Sequence, residues 1–99
     1  MSAHPIKRLV AVAEEVLSLP RGQLLLKERG AYDSIAQRRQ LVYLVAYEAG
    51  FSYPSIGKQM DFGRTTVRHG VRAARERIGN PVWAERKAAL HEEWAYLNG

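Results

Sequence analysis

Four arginines, Arg64, Arg68, Arg72 and Arg75, recur at helical steps in the stretch SYPSIGKQMDFGRTTVRHGVRAARERI that runs from Ser52 to Ile78. At about 100° per residue they share an arc of roughly 80°, beside a separate apolar stripe of Val67, Val71, Ala74 and Ile78. One helix therefore has a core face and a cationic face. Guanidinium groups are permanently charged forks that match phosphate oxygens and the acceptor edge of guanine better than a lysine ammonium does. From Arg64 to Ile78 there are five arginines and no lysine. Ordinary ion pairing is the plain alternative for a charged helix face. Few acids are at hand for it: between Phe51 and Asn80 six Lys/Arg face only Asp61 and Glu76, a net +4 of the chain's +5. The chemistry implied is recognition of an anionic, grooved polymer.

A shorter helix must support this one. Ser52 is placed to cap it, Pro54 suits a first turn, and Ile56 with Met60 forms an apolar edge. Gly57 sits where two helix backbones approach closely. Asp61-Phe62-Gly63 then reads as a three-residue turn, with Phe62 plugging the gap between the helices and Gly63 supplying a positive φ. The expected unit is a helix-turn-helix over about 52–78. Its second helix would enter the major groove of double-stranded DNA by its first turns. Arg64, Thr65, Thr66, Arg68 and His69 are the base-reading candidates. Arg72 and Arg75, further along, are expected at phosphates or in water.

At these residues the chain resembles the C-terminal DNA-binding domain of the bacterial replication initiator DnaA, whose signature runs approximately I-G-x-x-F-G-G-R-D-H-T-T-V. The counterpart here is Ile56-Gly57-Lys58-Gln59-Met60-Asp61-Phe62-Gly63-Arg64-Thr65-Thr66-Val67, preceded by Ser52-Tyr53-Pro54-Ser55. Arg39-Gln40 resembles the family's R-Q pair, which the resemblance implies to be phosphate contacts. The likeness spans about Ile6 to the last helix. The turn is one residue shorter, and Gly63-Arg64 stands where the family has Asp-His. An acid that accepts from cytosine is thereby replaced by a donor that prefers guanine. The family's minor-groove arginine has Arg29, in the loop Lys27 to Asp33, as its candidate.

The remaining segments read as the platform. Ile6, Leu9, Val10, Ala13, Val16 and Leu17 mark a first amphipathic helix ending near Ser18, with Lys7, Arg8, Glu14 and Glu15 on its opposite face. A second, shorter helix is expected around Arg21 to Lys27 with Leu24, Leu25 and Leu26, stopping at Gly30, although three adjacent leucines also permit a buried strand. Ser34 to Gln37 fits a capping box for a third helix, with Ile35, Val42, Val45, Ala46 and Ala49 as its core face and Gly50 as its stop. Arg38 and Arg39 in its first turn either meet phosphate or are plain surface residues; Gln40 follows them. Tyr43 and Tyr47 are expected at the rim of the core. Tyr53 and Lys58 are further phosphate candidates. A last helix from Pro81 to about Leu97 carries Trp83, Leu90, Trp94 and Leu97 along one edge, which either caps the core or forms a dimer seam.

With 99 residues the chain reads as a single all-α domain, without room for an ATPase module. A sequence pI near 9.9 fits a nucleic-acid partner. Zero cysteines exclude a disulfide framework and thiolate metal sites. Met1 to Leu19 lacks a secretory pattern and no window reaches a membrane span, so a cytoplasmic, nucleoid-associated protein is expected. His4, His69 and His91 share no metal-ligand spacing, and His91-Glu92-Glu93 reads as the wet side of the last helix. No nucleophile, cofactor loop or metal site is apparent, so an enzyme is not expected. The expected function is sequence-specific DNA binding in transcription or replication control, by a monomer or weak homodimer. The alternatives are a protein-interaction module built on the Trp83/Trp94 helix and a small accessory replication factor.

Overall fold

A computed structural model describes residues 4–26 and 33–98. In chain order the helices are α1 (Pro5–Val16), α2 (Asp33–Glu48), α3 (Tyr53–Met60), α4 (Arg64–Arg77) and α5 (Pro81–Asn98), with a 3-10 turn at Gln23–Leu25 between the first two. No strand occurs among the described residues, and the all-α class is as expected. The expected helix stop at Gly30 and the minor-groove candidate Arg29 lie outside the described residues.

α2 is the axle of the fold. Leu41 to Ala46 are six consecutive buried residues, so this stretch is apolar all round and is enclosed by its neighbours. α4 packs on it most extensively, and α1, α3, α5 and the 3-10 turn also touch it. The sequence expectation named one face of α2 and put Tyr43 at the rim; Tyr43 is instead 1% exposed, and Ala49 lies past the helix end, exposed. α2 also starts ahead of Ser34, the expected cap, whose side chain lies outside the described ones. Asp33 and Ser34 are already helical, whereas an N-cap residue is extended.

Helix ends are set locally. After α1, Ser18 takes φ 57 while the Ser18 and Leu19 amides donate to the Glu15 and Glu14 carbonyls. Gly50, at φ 107, ends α2 by the same bonding pattern, with its own amide on Tyr47 and that of Phe51 on Ala46. The Ser52 hydroxyl accepts from the Ser55 amide at the start of α3, and the Asn80 side chain accepts from the Val82 amide at the start of α5. Both helices begin where the sequence placed them.

The expected helix over Arg21 to Lys27 reduces to the single 3-10 turn. Gly22, at φ 87, precedes it and extended Leu26 follows, leaving space for one turn only. That turn explains a second correction. Glu14, expected on the wet face of α1, is 4% exposed and its carboxylate accepts the Leu24 amide at 3.1 Å. A buried carboxylate needs such a donor.

α5 closes the core with Leu90, and both Trp83 and Trp94 pack against it half-buried, which favours the core-capping alternative for these side chains. His91 is not simply wet: its Nε2 lies 3.0 Å from the Glu48 carboxylate, which also pairs with Lys87 at 2.8 Å. Burial pushes the Glu48 carboxyl up, but its bonds to Lys87 and His91 outweigh that and hold it below its ordinary value of 4.5. A depressed carboxylate stabilises the fold above that ordinary value, and the contribution fades as pH falls through the folded value. Glu48→Gln should therefore lower the unfolding free energy measured in urea at neutral pH, by less than about 1 kcal/mol because the pair is partly wet. The difference from wild type should close in acid.

The α2/α4 contact depends on Gly70. A methyl group there would lie 2.5 Å from Cδ2 and 2.9 Å from Cε2 of Tyr43. In an open helix, Gly→Ala stabilises by up to about 1 kcal/mol. Here the sign should reverse: Gly70→Ala is expected to lose roughly 1–3 kcal/mol in denaturant unfolding, because a buried ring must move.

Candidate nucleic-acid interface

α4 divides cleanly along its length. Val67, Gly70, Val71 and Ala74 are buried against α2 and α3. Arg64, Thr65, Thr66, Arg68, His69, Arg72 and Arg75 are all exposed. Burial of the apolar stripe thus fixes which way the cations point. All five base-reading candidates share this outward surface, and among the described residues no carboxylate pairs with Arg64, Arg68 or Arg72.

The connection between α3 and α4 is the expected three residues, built differently from expectation. The left-handed residue is Asp61, at φ 61, and not Gly63, which is extended at φ −66, ψ 148 as the N-cap of α4. Asp61 tolerates that conformation better than most residues. A side chain at Gly63 would meet nothing nearer than the Thr66 hydroxyl at 4.0 Å, so no steric demand selects glycine there. Gly57 is the demanding position. A Cβ on it would run into the Phe62 carbonyl oxygen and lie 3.5 Å from the Arg64 amide. Phe62 plugs the gap as expected, packing on the core with its ring edge-on to Tyr43 at 6.2 Å.

The phosphate candidates separate into two groups. Arg39 turns inward: its guanidinium donates to the Leu24 and Leu26 carbonyls and lies 4.6 Å over the Phe62 ring. Those carbonyls are left open by the short 3-10 turn, and Arg39 fills the role that further helix would have filled. Gln40 accepts from Arg77 at 2.9 Å. Arg38 is half-buried, and its Nε has no partner among the described residues. Lys58, in the last turn of α3, is exposed, as are Arg72 and Arg75.

Tyr53 belongs with the outward group. Together with Pro54, Arg64, Thr65 and Arg68 it lines a shallow cleft of about 260 Å³ where the start of α3 meets the start of α4. Its ring stacks on Tyr47 at 4.6 Å and 12°, and the Arg75 guanidinium lies 5.4 Å from the Tyr47 ring centre. The hydrogen bond to Tyr47 pushes the Tyr53 phenol above its ordinary value, against the pull of Arg75 and Arg72. A larger cavity of about 310 Å³, beside α1, is lined by Ala11, Val12, Glu14, Glu15, Leu19 and Arg21. Its two carboxylates make it a poor seat for a polyanion.

Sequence reasoning missed Tyr47 and Arg77. Tyr47 meets Tyr53 and Arg75 from three different helices, and no spacing rule connects them. Arg77 carried the same charge as its neighbours, yet it faces Gln40 and the Trp83 ring, 5.5 Å away. Among the described residues no three His, Asp or Glu side chains gather as a metal site, and no helix is long and apolar enough to cross a membrane.

No protein-family model, curated protein or solved structure matches the chain. The likeness to the initiator's DNA-binding domain rests on the quoted motif residues.

The inward turn of Arg39 has a measurable consequence. Arg39→Gln should lower thermal stability by about 1–3 kcal/mol, the range for hydrogen bonds from a charged donor, with most of the loss at the part-buried Leu24 carbonyl. Arg68→Gln, on the wet face, should leave stability within about 0.5 kcal/mol of wild type.

Proposed function

We propose that this chain is a double-stranded DNA-binding protein that docks α4 in the major groove through a helix-turn-helix formed by α3 and α4. The carrying observation is the division of α4 into a buried apolar side and an exposed side with four arginines, two threonines and a histidine. Arg64, Thr65, Thr66, Arg68 and His69 occupy the first turns, which enter deepest in such docking. Lys58, Tyr53, Arg72 and Arg75 flank them and hold the backbone. Arg39 and Gln40 act behind this layer, as supports of the platform. The resemblance to the initiator's DNA-binding domain points the same way and suggests a regulator, or an accessory factor at origin-like sites, that works without ATP hydrolysis.

Protein interaction through α5 is the weaker reading. Its tryptophans are turned to the core, and among its described side chains the large exposed apolar ones are Val82 and Tyr96.

Selection from a random duplex library at two salt concentrations tests the proposal: an enriched motif is expected, and absence of binding would remove DNA as the partner. On the selected site, Arg64→Ala should cost about 1–3 kcal/mol if the guanidinium grips a guanine edge, and much less on random duplex. An equal loss on both would assign Arg64 to the backbone instead of the bases.

A further inference from the structure

We infer that Tyr47, at the end of α2, is a positioning residue for DNA-backbone contact, holding Tyr53 and Arg75 together as one phosphate clamp beside the α3/α4 cleft. This rests on the DNA-binding reading and specifies the part of that surface which grips rather than reads. Three observations converge on it. The Tyr47 and Tyr53 rings are nearly parallel at 4.6 Å, so each restricts the other's rotamers. The Arg75 guanidinium sits over the Tyr47 ring at 5.4 Å, which holds a long side chain beside the ring pair. The cleft lined by Tyr53, Pro54, Arg64, Thr65 and Arg68 adjoins the ring pair, and its exposed cations, like Arg72, are not neutralised by any described carboxylate.

The chemistry suits a phosphodiester. The Tyr47 and Tyr53 hydroxyls share one hydrogen bond, which leaves the pair one O–H to donate, and the neighbouring guanidinium supplies a charged fork. Neither group needs a particular base. Without the Tyr47 ring, Arg75 retains its charge but samples many rotamers, and ordering it on the backbone then costs side-chain entropy. Tyr47 is half-buried and packs on the core, so it can hold its two partners steady.

The test is the salt dependence of binding to a random-sequence duplex, measured for the full chain by fluorescence anisotropy. Each phosphate contact contributes about 0.9 to the slope of log K against log salt. Tyr47→Leu is expected to reduce the slope by about one contact, Tyr47→Phe to keep most of it, and Arg75→Met to reduce it like Tyr47→Leu. The double variant Tyr47→Leu/Arg75→Met should lose little beyond either single change, since the two act as one unit. Thermal melts establish that the variants are folded. If Tyr47→Leu unfolds, Arg75→Met, which leaves the ring pair in place, decides: a wild-type slope in that variant overturns the inference. Additive losses in the double variant also overturn it. A wild-type chain that binds no duplex overturns the DNA-binding reading and this inference with it. A wild-type chain that binds, with all slopes alike, overturns the clamp alone.

Discussion

The contact between Gly70 of α4 and the ring of Tyr43 in α2 is the constraint on which the rest depends. It brings the two helix surfaces close and seats Val67, Val71 and Ala74 in the core beside it. A fully buried tyrosine is a large filler, and its neighbours have little space in which to yield. The ring also receives the edge of Phe62, and Phe62 carries Arg39, so the turn, the 3-10 segment and α4 are referenced to one side chain. This comes at the cost of a buried hydroxyl without a partner among the described residues. Burial raises its phenol to about 12, although the nearby Arg39 charge lowers it somewhat, so the ring stays neutral through ordinary pH.

The arginines illustrate how one residue type serves two ends. Arg39 and Arg77 use their forks on carbonyl oxygens and lay their planes against aromatic rings, joining α2 to the 3-10 turn and to the start of α5. Among the described residues Arg64, Arg68 and Arg72 have no such acceptors, and all three are exposed. The difference is position: a guanidinium turns inward where short elements leave unpaired carbonyls, and outward where a helix has satisfied its own. Net charge alone hides this division, and it reduces the number of cations available to a polyanion.

Much of the α3/α4 unit was legible in the sequence because its signals are local. The Ser52 cap, the three-residue turn, the Arg64 start of α4 and the Gly50 stop all depend on residues within a few positions of one another. Gly57 was legible for the same reason, since the carbonyl it must admit is in the adjacent turn. The errors arose where the partner is distant in sequence. Glu14 looks like a wet residue until Leu24 is folded above it, Tyr43 looks like a rim residue until Gly70 is placed against it, and the bonds of Arg39 to the Leu24 and Leu26 carbonyls are invisible to spacing rules. The misplaced positive φ was a local error: glycine was preferred on propensity, yet aspartate took the left-handed residue of the turn. Fold class followed from periodicity, whereas site membership required knowing which polar groups the fold itself consumes.

α4 is fixed by burial on one side and left cationic on the other, the arrangement that the proposed docking on DNA requires. Amide chemical-shift mapping of the isotopically labelled chain against a short random-sequence duplex is the most direct measurement. A DNA surface on α4 predicts shifts concentrated from Arg64 to Arg75 and at Tyr53, with the indole signals of Trp83 and Trp94 little changed. Shifts confined to α5, or none at all at saturating duplex, would contradict it.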